Sequence, residues 1–207
     1  SEALRGDQAE PSAAREAGIE DLYARGVRTL YHEAMQRTAR EGVQRWADGG
    51  RAHRASMAAG LRRRGMPEPR VDQAVERVIA LLDTTLASEA GRWLLAPRAW
   101  AQAEYPLAGR IDGRWVSAVI DRCFEDEHGC LWVVDYKTSA HPVPADRVED
   151  HVAAACERYR EQVAHYVALL AQLRPGRAVR GGLYFADLGR LTLQTQTEAP
   201  GDPAQVE

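Results

Sequence analysis

Residues 118–139 read AVIDRCFEDEHGCLWVVDYKTS. The apolar run VSAVI ends at Asp121 and the run LWVV ends at Asp135. Between them, EDEHG is polar and carries a glycine near its end. This pattern predicts two strands joined by a hairpin. The hairpin centre falls near Glu127–His128, equally far in sequence from both aspartates, so the ladder makes Asp121 and Asp135 neighbours. Carboxylates side by side repel and raise one another's pKa. A divalent cation removes that penalty, and Mg2+, which takes oxygen ligands and keeps part of its water shell, suits such a pair. Val133 and Val134 beside Leu131 and Trp132 make the second run continuously apolar. That predicts a central strand covered on both faces.

Lys137 is the one lysine in a chain with 27 basic residues. Positions two apart on a strand share a face, so Lys137 stands beside Asp135 while Tyr136 faces away. An ammonium there orients a water or offsets charge developing on a phosphoryl oxygen. A guanidinium is a broad fork and an ammonium a compact point charge, which gives a reason for Lys among so many Arg. The plainer alternative is an ion pair at a strand edge.

Working outward, WAQAEYPLAG (100–109) alternates as a preceding strand and brings Glu104, which alone would be ordinary surface charge. Upstream the period is helical. Leu22, Leu30, Tyr31, Ala34, Met35 and Thr38 form one stripe between Asp21 and Trp46, and ADGGRAH stops it. A short helix over Ala52–Arg64 follows, then one from Val71 to about Ser88, then a turn and short helix in EAGRWLLAP. Downstream, the loop SAHPVPADR leads to a long helix, Val148–Leu173, lined by Tyr159, Val163, Tyr166, Val167 and Leu170. AVRGGLYFA and RLTLQTQ are late strands joined through DLG. The order predicts an α/β fold with a mixed sheet behind an N-terminal helical subdomain. The expected division is a flexible edge over 1–20, a helical part over 21–100, the core over 101–195 and a flexible tail over 196–207.

A 45% hydrophobic content supports a packed core, and a net charge of -3 gives no global electrostatic case for nucleic-acid binding. Seven arginines between Gln44 and Arg70 stand against Asp48 and Glu68, reading either as a phosphate-facing patch or as a solvated linker. Three cysteines without CxxC spacing argue against a disulfide framework. No run is long enough to span a bilayer, and no signal-peptide pattern is present. The absence of GxxxxGK[ST] argues against ATP hydrolysis within this segment. His32, beside Tyr31 in the first helix, becomes a ligand candidate only if that helix packs over the carboxylates, where a neutral imidazole binds metal. Gln162 and Tyr166, four apart on the long helix, share a face; they either reach the site or pack helix to sheet.

Taken in order, AEYPLAG, AVIDRCFEDEHGCLWVVDYKTS, YREQVAHYVALL and GGLYFA resemble the PD-(D/E)XK nuclease superfamily. More narrowly they resemble the C-terminal nuclease domain of the RecB/AddA class of helicase–nucleases. The resemblance spans about Gly26 to Gln194. It implies a restriction-endonuclease-like mixed central sheet flanked by helices, and Mg2+-dependent cleavage of DNA phosphodiesters, with Mn2+ able to substitute. The family's acidic residue after the second core strand falls on Asp121, its D-x-K on Asp135 and Lys137, its Q-x-x-x-Y on Gln162 and Tyr166, and its upstream glutamate on Glu104. Its histidine in an N-terminal helix falls on His32 in RTLYHEAMQ. Arg28 stands where glycine is usual, and so does Ala118.

On this resemblance His32, Asp121 and Asp135 hold the metal, joined by a backbone carbonyl at Tyr136. Lys137 aligns the water, Glu104 is a supporting acid, and Gln162 and Tyr166 support the pocket or the DNA strand. Also implied are an upstream, covalently attached ATP-dependent helicase region, a second helicase–nuclease subunit, and exonuclease action in double-strand break repair and recombination. The implied setting is the bacterial cytoplasm at the nucleoid, with no membrane. No iron–sulfur cluster is expected, because the cysteines do not follow the four-cysteine arrangement of some relatives. The alternative is a catalytically inactive nuclease-fold module that docks on a helicase and guides DNA; the intact Asp121, Asp135 and Lys137 set speaks against it.

Overall fold

The computed structural model describes residues 9–197, with side chains from Arg15 onward. Of the expected flexible tail over 196–207, Gln196 and Thr197 are the end of the last strand, and the remainder, like the first eight residues of the expected N-terminal edge, lies outside the described residues. From Ala9 that edge is already helical, as the start of α1 (Ala9–Glu41). Its alanines favour helix. Tyr23, Val27, Leu30, Tyr31, Ala34 and Met35 recur at three- and four-residue steps and are buried. Gly42, at a φ of 92°, ends the run.

Short 3-10 turns then lead to α2 (Arg54–Arg63), α3 (Glu68–Ala87) and α4 (Glu89–Leu95). The sheet strands are β1 (Ala101–Ile111), β2 (Arg114–Glu125), β3 (Leu131–Lys137), β4 (Val179–Phe185) and β5 (Arg190–Thr197), with α5 (Val148–Leu173) between β3 and β4. Five strands lie in sequence order. β3 and β4 are parallel across the α5 crossover, and every other pair is antiparallel. The fold is thus the expected mixed α/β sheet with helices on both faces. The helices α1, α3 and α4 cover one face, packing Tyr31, Met35, Val78 and Leu94 against Phe124, Trp132, Val134 and Tyr136. On the other face α5 lies against the sheet through Tyr166, Val167 and Leu170 over Ile120, Leu131 and Val133. Between them β3 is buried on both sides, as its continuous apolarity requires.

Two local devices shape the sheet. Asp112 and Gly113, at φ of 49° and 79°, form the two-residue turn between β1 and β2; an Asp-Gly pair with both φ positive is the hairpin turn that matches strand twist. In the next hairpin the buried Asp126 takes over unpaired donors. One oxygen accepts from the His128 and Cys130 N–H groups, both at 2.9 Å, and the other from Trp132 Nε1 at 2.8 Å.

The arginine-rich stretch between Gln44 and Arg70 is neither an open phosphate-facing patch nor a bare linker. Arg51 pairs with Asp83, Arg54 with Glu76, Arg62 with Glu68, Arg64 with Glu33 and Arg70 with Glu20. Most of these pairs tie the segment to α1 and α3. The acids that compensate it lie mostly outside the stretch, so a local count missed them.

Where α5 crosses β4, a Cβ on Gly181 would stand 2.6 Å from Val163 Cγ1 and 2.6 Å from Val167 Cγ2. β-branched side chains on a helix have little rotamer freedom to yield. Gly181→Ala is therefore expected to destabilise by about 1–3 kcal/mol and to push α5 off the sheet. Gly18→Ala in α1, with no atom within 4 Å of the added carbon, should instead stabilise by about 0.5–1 kcal/mol. Urea denaturation of the two variants checks both signs.

Candidate functional site

The β2–β3 ladder stops at Arg122↔Val134. One residue further on, Asp121 Oδ2 accepts the Tyr136 N–H at 2.6 Å. A side chain has replaced the backbone acceptor that the next rung would have supplied, so the strands part here and a cleft opens. β1 contributes to the same opening. Its pairing with β2 skips Glu104, which has a φ of 49°. A non-glycine residue held in the left-handed region is strained and marks a place where the backbone is over-determined.

The alternation of both strands breaks at this point. Ile120 and Cys123 pack in the same cluster under α5 although three positions separate them. Ala101 packs with the α1 side and Tyr105 with the α5 side although four positions separate them. The break lets Asp121 and Glu104 turn toward α1, where His32 lies. His32 Nδ1 is 3.2 Å from Asp121 Oδ1 and 3.8 Å from Glu104 Oε1. The imidazole is fixed edge-on against the Tyr31 and Tyr136 rings.

Asp135 faces the cleft from β3. Its Oδ1 accepts from Gln162 Nε2 at 3.1 Å, and its Oδ2 lies 2.7 Å from Lys137 Nζ. Gln162 also donates to the Tyr166 hydroxyl. The ammonium of Lys137 sits 3.1 Å above the centre of the Tyr159 ring, a contact that holds a cation electrostatically. Tyr136 points its ring to the opposite face. Because its N–H is directed at Asp121 and an extended residue presents N–H and C=O to the same neighbour, its carbonyl also faces the cleft. The cleft is about 650 Å3 and is lined by His32, Glu104, Asp121, Asp135, Tyr136, Lys137, Tyr159 and Gln162 together with Arg28, Thr29 and Gln36 of α1 and Thr138.

The structure brings His32, Glu104, Asp121, Asp135, Tyr136, Lys137 and Gln162 to one cleft and divides them into two clusters, whereas Tyr166 is not on its lining and reaches it only through Gln162. His32, Glu104 and Asp121 each offer a ligand atom, all within 4.8 Å of one another. Asp135 lies outside that group, both oxygens engaged by Gln162 and Lys137. Two like charges this close each settle where a donor is available. Glu104, read as a supporting acid, thus stands with His32 and Asp121. One nitrogen and two carboxylates, with a carbonyl alongside, is a donor set that suits Mn2+ and Mg2+. His32 Nε2 is buried without a hydrogen-bond partner, and Nδ1 is the nitrogen turned to the carboxylates. As a neutral ligand, His32 would keep its proton on Nε2. The periodicity of the long helix puts Tyr159 on its lined side but gives no sign of its place under Lys137; the i, i+3 spacing to Gln162 was the signal. Arg28, noted only as a departure from the family string, is a cleft cation with no ion pair among the described residues, whereas Lys137 is already paired.

Burial would lower the His32 pKa, but the Asp121 hydrogen bond and the charges of Asp121, Asp135 and Glu104 outweigh it, and the ring titrates above the ordinary histidine value. Burial first, then Asp121, raises Asp135 against the opposing pull of Lys137. Burial and Asp121 raise Glu104 as well. A folded-state pKa above the unfolded one contributes stability that is present at low pH and lost as pH rises through it. All three groups therefore weaken the metal-free fold as pH rises, while deprotonation frees them to bind a cation. Between about pH 6 and 8 the metal-free unfolding midpoint should fall, and the gain on adding Mn2+ should grow. At about 100 times its Kd the ion adds ~2.7 kcal/mol, and Glu104→Gln should shrink that gain. Differential scanning fluorimetry with Mn2+ or EDTA reads each effect.

The family described as the PD-(D/E)XK nuclease superfamily matches residues 9–207, and a search of curated proteins returned no match. Among the described residues no helix is long and apolar enough to cross a membrane. The match runs through all the elements that build the cleft, and the chain belongs to the PD-(D/E)XK nuclease superfamily.

Proposed function

We propose that this chain is a divalent-metal-dependent deoxyribonuclease that hydrolyses phosphodiester bonds, with Mg2+ as the working ion and Mn2+ able to replace it. The observation that carries the reading is the juxtaposition of the His32, Glu104 and Asp121 cluster with Lys137, held by Asp135 at 2.7 Å on the adjoining strand. A divalent cation in that cluster would supply Lewis-acid polarisation of a phosphate oxygen and a lower pKa for an attacking water. The protein groups around it have separable tasks. Lys137, pinned between Asp135 and the Tyr159 ring, presents a fixed ammonium that orients the water and offsets charge growing on the phosphoryl oxygens. Gln162, anchored on Tyr166, holds the Asp135 carboxylate in its orientation. Arg28, unpaired at the cleft wall, is available to a phosphate of the bound strand.

Substrate delivery is part of the proposal. The chain carries a net charge of -3, and its densest arginine stretch is largely consumed in ion pairs. Non-specific DNA affinity rests on phosphate neutralisation, so this domain alone binds DNA weakly. A helicase motor that feeds a strand into the cleft removes the need for tight binding. We therefore read the chain as the nuclease part of a helicase–nuclease, acting as an exonuclease on broken DNA ends beside a second subunit.

Lys137→Ala should lower cleavage of single-stranded DNA by roughly 10²–10³ while leaving the Mn2+-induced rise in unfolding midpoint in place. EDTA should abolish cleavage by the wild-type chain. Full turnover in the Lys137 variant, or cutting that persists in EDTA, contradicts the mechanism. Salt-sensitive binding without a metal-dependent product would point to a non-cutting guide module instead.

A further inference from the structure

Beyond the cleft, β1 and β2 continue as a two-stranded arm. Past Asp121, β2 no longer pairs with β3, yet it stays paired with β1 out to Ile111↔Arg114. One face of this arm packs under α5 through Tyr105, Leu107 and Ala118. The other face is exposed and is built from cross-strand pairs in register: Pro106↔Val119, Ala108↔Ser117 and Arg110↔Trp115. Glu104 and Asp121 share this parity and stand at its inner end. The face is therefore a continuous path from the carboxylates to the hairpin tip, about 20 Å at strand rise.

Its composition fits a single strand of nucleic acid. Trp115 is 72% exposed, the largest value among the exposed large hydrophobics, and Val119 on the same face is 52% exposed. The Arg110 guanidinium lies 5.6 Å from the Trp115 ring centre. Arg110 and Arg114 have no carboxylate partner among the described residues, with only Asp112 between them in the turn. An exposed aromatic ring beside uncompensated arginines is what base stacking and phosphate tracking require. The floor between tip and cleft is formed by small or flat side chains, Pro106, Ala108 and Ser117, which leave room for a backbone to lie against it. Pro106 also blunts the free edge of β1 against pairing with another strand.

We propose that this face of the β1–β2 arm is the track for single-stranded DNA entering or leaving the cleft, with Trp115 stacking on a base and Arg110 meeting a phosphate several nucleotides from the cut. The inference rests on the nuclease reading and extends it to how the strand is held. It is tested with the full chain carrying Lys137→Ala, so that the strand stays intact, by fluorescence anisotropy with labelled oligo(dT). Trp115→Ala should weaken binding roughly 5- to 100-fold, with Trp115→Phe in between. Arg110→Ala should lower the salt slope of binding by about one. The stacking role has its own signature. The parent should bind oligo(dT) more tightly than an abasic strand of equal length, and Trp115→Ala should not distinguish them. Unchanged unfolding midpoints exclude misfolding, since Trp115 supports no core. Equal oligo(dT) binding with and without Trp115 overturns the proposal and leaves the face to a protein partner. Binding that depends on Trp115 in a chain whose wild type cuts nothing in Mn2+ upholds the track and sinks the nuclease reading; cutting indifferent to Trp115 does the reverse.

Discussion

The hydrogen bond from the Tyr136 N–H to Asp121, 2.6 Å long, is the constraint from which the site follows. It replaces the rung at which β2 would have continued along β3. Because a side chain closes that rung, the backbones separate, the alternation of β2 slips, and Asp121 is brought to the α1 side while Asp135 stays on the α5 side. Glu104 matches the slip on β1 with its left-handed φ. Continued pairing would have placed two aspartates face to face on one surface. The departure spreads the acids around a cleft that has a histidine on one wall and an ammonium on the other.

That cleft concentrates negative charge, and the fold balances it without neutralising it. His32 leans on Asp121 and Lys137 on Asp135, each from a rigid element. The end of the strand that carries Lys137 is itself tied down. Arg77 of α3 bonds Asp187 and the Ser139 carbonyl, and Asp187 accepts the Ser139 N–H at 2.9 Å. The turns that follow β3 and β4 are thereby fixed to the helical layer. A site that must hold groups to within a fraction of an ångström benefits from such support. Burial first, and then repulsion from Asp121, raises the pKa of Asp135 and Glu104 and gives a cation something to relieve. Tyr159 adds a second hold on Lys137, so the ammonium is oriented by a ring as well as by a carboxylate.

Much of this was readable from local pattern. The long helix Val148–Leu173 and the central strand around Leu131–Lys137 carry strong periodicity or continuous apolarity, and their bounds emerge from sequence alone. The hairpin centred on Glu127–His128 predicts the Asp121 and Asp135 adjacency. What was not legible depends on contacts between distant segments. Alternation cannot announce that it will break at Glu104 and Asp121, because the break is stabilised by a backbone N–H on another strand. The compensation of Arg51, Arg54, Arg64 and Arg70 by Asp83, Glu76, Glu33 and Glu20 depends on how three helices pack. Tyr159 reads as one more apolar residue of an amphipathic helix until Lys137 is known to lie over it. The Asp112-Gly113 turn, by contrast, was a short-range signal available in the sequence.

The central claim is that His32, Glu104 and Asp121 form a divalent-cation site beside Asp135 and Lys137. Anomalous scattering from crystals grown with Mn2+ tests it most directly. The expected result is a strong peak within ligand distance, about 2.0–2.3 Å, of His32 Nδ1 and the Asp121 carboxylate, with Lys137 Nζ still on Asp135. A peak elsewhere on the surface, or none at this cluster with Asp121 still bound only to Tyr136 N–H and His32, would contradict it.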